Sequence, residues 1–169
     1  MKVLIAYYSF TGKTAELAKV LHAYLKDGGH SVSVEEINPK KAYSSITAYT
    51  VGCYDAARKA TPPIKPLKYN PTDFDCIVVL SPTWAWTYVP PVATYLSLLP
   101  TAKNGQLAIS GSTGGSLVAY KHITQALKKK GYGIVGELAI KSYPALPSSE
   151  ELKKIFASSL RLPGRSKKQ

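Results

Sequence analysis

"KVLIAYYSFTGKTAEL", residues 2–17, decides how the rest of the chain is read. Its first half, Lys2 to Ser9, is apolar almost throughout, as a strand covered on both faces of a parallel sheet must be. The spacing then changes. Leu17, Val20, Leu21, Tyr24 and Leu25 recur at i, i+3, i+4, i+7 and i+8, which is one face of a helix. Asp27-Gly28-Gly29 stops that helix, and Ser31 to Ile37 alternates as a second strand. A strand, a helix and a strand in this order predict a parallel pair joined by a crossover.

The same alternation continues to the end of the chain. Asp75 to Leu80 repeats the buried-strand pattern, and Pro90-Pro91 followed by Val92, Tyr95, Leu96 and Leu99 predicts a helix with proline in its first turn. Gln106 to Ser110 is a fourth strand. Leu117, Tyr120, Ile123 and Leu127 mark the next helix, Gly131 ends it, and Tyr132 to Ile140 is a fifth strand. Ser148 and Glu151 have the spacing of a capping box for a closing helix that carries Leu152, Ile155, Phe156 and Leu160. The expectation is an α/β fold with helices on both faces of a parallel sheet, one domain over residues 1–160 and a basic tail at 161–169. Between Pro39 and Pro71 the pattern breaks. The middle of that segment is expected to be helical, its Pro62 to Pro66 portion extended, and its length that of a cover or partner surface.

Composition limits the function classes. The chain has 169 residues with 45% hydrophobic content, which suits one globular core. Its apolar runs fall far short of the roughly 20 residues of a membrane span. Met1 leads directly into the first strand, without a small-residue cleavage site, so the cytoplasm is the expected compartment. Cys53 and Cys76 form neither a redox pair nor a zinc-ligand spacing, and Cys76 has the setting of a buried hydrophobe. His22, His30 and His122 are scattered, and no metal site is expected. The net charge of +12 invites acidic partners, nucleic acid or anionic surfaces. Basic and aromatic residues are not interleaved, which ranks nucleic acid below an acidic protein partner.

In open parallel sheets ligands sit beyond the carboxyl ends of the strands, which singles out residues 9–14, 81–88 and 111–116. Gly12-Lys13-Thr14 ends like a triphosphate loop, but the glycine required five positions earlier is Tyr7, and the dinucleotide signature is missing too. What remains is a short turn with the hydroxyls of Ser9, Thr11 and Thr14 and the free amides of a helix start, which suits one terminal phosphate. The same hydroxyls could instead cap the helix, with Thr11 or Ser9 at the N-cap. In the second segment Trp84, Trp86 and Tyr88 offer flat walls to a flat ligand, Thr83 a polar edge, and Pro82, Pro90 and Pro91 a stiff turn. The alternative is that one tryptophan packs under residues 40–70. In the third, Ser110 to Ser116, glycines allow close backbone approach or simply serve the turn.

These stretches, "LIAYYSFTGKTAELA", "YDAARKATPPIKPL", "SPTWAWTYVPPVATYL" and "SGSTGGS", resemble the flavodoxin family over nearly the whole chain. The resemblance implies a three-layer αβα sandwich on a five-stranded parallel sheet in order 2-1-3-4-5, with FMN at the switch between strands one and three. It implies that Ser9, Phe10, Thr11, Gly12, Lys13 and Thr14 hold the phosphate. Pro82, Thr83, Trp84, Ala85 and Trp86 would line the isoalloxazine, and Ser112, Thr113, Gly114 and Gly115 would close its pyrimidine side. Unlike the acidic electron carriers of the family, this chain is basic, and its third loop has no aromatic residue.

The function implied is electron transfer through FMN, with no catalytic side chain and an acidic redox protein as partner. The alternative is an NAD(P)H-dependent quinone or flavin reductase, in which Lys13, Lys121 or Lys128 attracts the nicotinamide phosphate and His122 or Tyr88 supplies a proton. A third reading is a cofactor-free binding protein that keeps the fold.

Overall fold

The computed structural model describes residues 1–163 except 104 and 143. Residues 164–169, most of the expected basic tail, lie outside the described residues.

Strand β1 (Lys2–Tyr7) leads through residues 8–12 into α1 (Lys13–Asp27), and β2 (Ser31–Glu36) returns parallel to β1, with Val3 opposite Val32. The long connection contains α2 (Ser45–Thr47), a π-helical turn at Ala48–Gly52, α3 (Cys53–Ala57) and a 3-10 turn at Pro71–Asp73. Then follow β3 (Cys76–Trp84), β4 (Thr87–Tyr88), α4 (Pro90–Leu98), β5 (Leu107–Thr113), α5 (Ala119–Lys129), β6 (Gly133–Ile140) and α6 (Ser149–Ser159). The spatial order is β2-β1-β3-β5-β6, all parallel, with β4 attached antiparallel to β3.

The sheet therefore has six strands in order 2-1-3-5-6, not five in order 2-1-3-4-5. The additional strand exists because β3 does not stop at Leu80. It runs on to Trp84, turns over Ala85 and Trp86, and pairs Trp84 with Thr87. Both turn residues have positive φ, 43° and 64°, which gives a two-residue turn the right-handed twist of the strands it joins. Sequence patterning misses such a turn when neither central position is Gly or Asn.

The alternating side chains of the sheet feed two cores. Val3, Ile5, Cys76, Val78, Leu80 and Ile109 meet Leu17, Leu21 and Leu25 of α1 and Leu152 and Phe156 of α6. Ile77, Val79 and Ala108 meet Val92, Tyr95 and Leu96 of α4 and Ile123 and Leu127 of α5. Each large aliphatic side chain, fully buried, contributes about 1.5–3 kcal/mol, so this two-faced burial is what holds the sheet between its helices. Burial pushes the Cys76 thiol up to about 12, with Asp75 adding to the shift, so it behaves as a small apolar group.

Helix ends follow their local chemistry. The Ser148–Glu151 capping box is formed in both directions. Leu160 falls just beyond α6 and bridges to Gly136, while the Arg161 amide donates to the Val135 carbonyl at 2.7 Å, so the chain covers the edge strand β6. Leu117 also lies outside its expected helix, which starts at Ala119. The long connection is pinned down. Pro39 bridges Ile64, the Thr94 hydroxyl donates to the Pro62 carbonyl at 2.6 Å, and Glu35 accepts the amides of Lys68 and Tyr69. No helix among the described residues is long and apolar enough to cross a membrane.

Candidate functional site

The carboxyl ends of β1, β3 and β5 lie side by side because these strands are neighbours in register: Tyr7 opposite Leu80, and Pro82 opposite Thr113. Above them is a cavity of about 390 Å³, within the size range of small-ligand sites. Phe10, Thr11 and Lys13 line it from the first strand end, Pro82, Thr83 and Trp84 from the second, and Thr113 and Gly114 from the third. Ala48 and Cys53 of the long connection and Ser142 and Pro144 after β6 complete the wall. The last four were missed by sequence reasoning. Only the length of the 39–71 connection hinted that something covers the site, and nothing periodic marked which residues do.

Neither Ser9 nor Thr11 caps α1. The N-cap is Gly12 in the left-handed region, φ 86°, and no side chain bonds to the cap. Glycine adopts this conformation without strain, which lets the chain turn sharply into the helix. The amides of the first turn, lacking partners within the helix, point out of its N-terminus beside the cavity-lining Thr11 and Lys13. Lys13 also approaches Glu16 at 3.9 Å, an exposed pair of little energetic weight.

The hydroxyls divide into two kinds. The Thr14 hydroxyl is buried and 2.8 Å from that of Thr113, fastening the first strand end to the third. In contrast Ser9 Oγ, Thr83 Oγ1 and Ser112 Oγ are buried without a hydrogen-bond partner among the described residues. An unsatisfied buried hydroxyl costs about 1–3 kcal/mol; that of Thr83 is in the cavity wall and fits a site built to receive a polar atom from a ligand, whereas Ser9 and Ser112 lie at the neighbouring strand ends outside the cavity lining.

Of the two tryptophans, Trp84 is the one under the long connection. Its ring meets Tyr8, Phe10 and Tyr43 edge-on at 6.1, 5.6 and 5.4 Å, and Gly52 lies directly against it. Half-buried, it lines the cavity as a packed wall. Trp86 is 66% exposed at the tip of the turn, with the exposed Ala85 before it. Neither of these two lines the cavity, and Gly115 stands in open space beyond it.

Of the two alternative proton donors, His122 is engaged and Tyr88 is half-buried. His122 Nδ1 is 3.1 Å from the buried Thr87 hydroxyl, and burial raises the Tyr88 phenol above its ordinary value of 10. Burial, helped by Tyr43 and Glu36, pushes the Tyr8 phenol up to about 12. Lys121 is exposed on α5, and Lys128 lines a separate groove along β6 with Glu137 and Arg161.

No protein-family model matches the chain, and no curated protein does. Solved structures do. A candidate flavoprotein from Bacteroides uniformis superposes with a TM-score of 0.71 at 23% identity, over 92% of this chain and 97% of the other. A flavoprotein in complex with FMN from Lactobacillus acidophilus gives 0.63 at 20% identity, over 81% and 91%. A flavodoxin from Streptococcus pneumoniae gives 0.62 at 20% identity, over 95% and 97%. The chain has a flavodoxin-like fold.

Proposed function

We propose that this chain binds FMN at the carboxyl edge of its sheet and acts in electron transfer, in the cytoplasm, with an acidic protein as partner. The observation that carries the reading is the cavity over three adjacent strand ends with the buried, unpartnered hydroxyl of Thr83 in its wall, and two more such hydroxyls, Ser9 and Ser112, at the neighbouring strand ends. In this reading the amides of the α1 N-terminus and the hydroxyls of Ser9 and Thr11 bind the terminal phosphate, the helix dipole favouring its charge. Lys13 adds a cation at the same rim. Trp84, fixed by its three aromatic neighbours, forms one wall for the ring, and Thr83, Thr113 and Gly114 present polar edges to it. Bound FMN would supply the redox chemistry, while the protein binds and orients it and limits its contact with water. The excess of positive charge steers an acidic partner toward the molecule.

The reductase reading has less behind it. His122 is tied to Thr87, and of the three lysines it names only Lys13 lines the cavity, Lys121 being exposed on α5 and Lys128 in the groove along β6.

The test is an FMN titration of the purified protein followed by visible absorption, repeated with Ser9→Ala and Thr83→Ala. Saturable, perturbed flavin bands that weaken in both variants are expected. A wild-type protein that leaves the flavin spectrum unchanged would overturn the proposal. Rates of electron exchange with acidic redox proteins should fall as salt rises, and salt-independent rates would remove the steering argument.

A further inference from the structure

A second concavity lies outside the cavity described above, on the far side of its wall. The two stripes of residues along 45–57 face different ways. Ala48 and Cys53 line the inner cavity, whereas Thr47, Val51 and Asp55, spaced four apart, line an outer groove of about 570 Å³. A further bank of the groove is Pro62-Pro63, and Ala42 and Tyr43 also line it. The inner and outer spaces share a two-ring partition, because Tyr43 of the groove meets Trp84 of the cavity edge-on at 5.4 Å.

Three features make this groove a site and not a chance depression. Its proline bank is rigid: Pro62 is held to α4 by the Thr94 hydroxyl at 2.6 Å, and the Lys40 amide donates to the Pro63 carbonyl at 2.9 Å. A preformed wall spares a ligand the cost of ordering it. Its lining is mainly apolar, with Ala42, Val51 and the two prolines. Its polar groups are largely spoken for, since Ser44 and Thr47 bond to each other in a capping box and Asp55 pairs with Arg58 at 3.1 Å. Among the described residues that leaves Lys41 as the lining charge without an ion-pair partner.

We propose that this outer groove binds a flat, apolar ring carrying carbonyl oxygens at its edge, with the ring between Val51 and the Pro62-Pro63 bank and a carbonyl turned to Lys41. Apolar walls suit the ring, and a lone ammonium suits an acceptor-only edge. A phosphorylated nucleotide would find too few donors here, and a cation would meet Lys41. The groove does not depend on FMN in the inner cavity, but a ligand in it lies one ring pair from that cavity.

Menadione, a methylnaphthoquinone, is the probe. Its binding to the purified chain, with and without FMN, is followed by equilibrium dialysis and by quenching of tryptophan fluorescence, since Tyr43 joins the groove to Trp84. Saturable binding is expected in both conditions. Val51→Asp puts a charge against the ring, and Ala42→Phe adds bulk to the lining from outside the helical segment. Each should weaken menadione roughly tenfold or more while leaving FMN binding unchanged. Competition between menadione and FMN would place the ring in the inner cavity and overturn the proposal, as would wild-type affinity in both variants or no saturable binding. Self-association abolished by Val51→Asp would assign the groove to a second copy and overturn it as well. Menadione binding without any FMN binding would sink the FMN reading and leave this one standing.

Discussion

The hydroxyls of Thr14 and Thr113 lie 2.8 Å apart in the interior, joining residues 99 positions apart in the chain. Thr14 is 1% exposed and sits in the first turn of α1, and Thr113 is equally buried at the end of β5. Their bond ties the start of α1 to the end of β5. Thr14→Val keeps the shape but leaves the Thr113 hydroxyl without a partner, so a loss of about 1–3 kcal/mol is expected in urea unfolding. The double variant with Thr113→Val removes both hydroxyls and should recover part of that loss. A double variant no more stable than the single one would show that the bond is not what holds the two ends.

Gly52 closes the helical cover against Trp84. Its backbone is ordinary right-handed helix, φ −65° and ψ −42°, where alanine would gain about 1 kcal/mol in propensity. A Cβ there would lie 2.5 Å from Trp84 Cζ3, and the ring, held by Tyr8, Phe10 and Tyr43, has little room to retreat. Overpacking of this kind costs about 1–3 kcal/mol, so steric cost should offset or exceed propensity. Gly52→Ala should leave the chain no more stable and alter the near-UV dichroism of tryptophan. A variant that is more stable, with an unchanged spectrum, would show that the cover shifts freely.

Much of this fold can be read from the sequence because burial on both faces writes continuous apolar runs such as Cys76 to Leu80, and capping is local enough for Ser148 and Glu151 to declare themselves. The sites of the three strand ends follow from topology once the alternation is seen. The rest depends on path. Trp84 and Trp86 are two apart and would share a face in a continuous strand, but the turn over Ala85 and Trp86 leaves Trp84 in the wall and puts Trp86 into solvent. Ala48 and Cys53 reach the cavity only because the long connection crosses over it, which no local pattern encodes.

The turn itself is strained. Ala85 and Trp86 both hold positive φ, which costs an L-residue roughly 1–2 kcal/mol each. Asn-Gly is the pair this geometry favours. Replacing both, Ala85→Asn with Trp86→Gly, should therefore stabilise the chain by about 1–2 kcal/mol in thermal or urea unfolding, the relief being reduced by the freedom glycine adds to the unfolded state. Backbone strain of this kind clusters at functional sites. If the proposed electron exchange runs past the exposed Trp86, its rate should fall in the double variant. A double variant that is less stable would mean that Trp86 makes contacts worth more than the strain.

The Ser148–Glu151 box gives the acid limb of stability a defined contributor. The Ser148 hydroxyl and amide both donate to the Glu151 carboxylate, at 2.7 and 2.8 Å, and these bonds lower its pKa from the ordinary 4.5. A carboxyl whose folded-state pKa lies below its unfolded value binds fewer protons folded than unfolded. Its stabilisation is therefore complete above the unfolded value and is lost as pH falls toward and through the folded one. Glu151→Gln keeps a capping partner but removes the titration, so the decline in stability below about pH 4.5 should be shallower than in the unaltered chain. Urea midpoints measured from neutral pH down into that range decide the matter. Parallel acid limbs for the two proteins would mean that the box carries no pH-dependent stability.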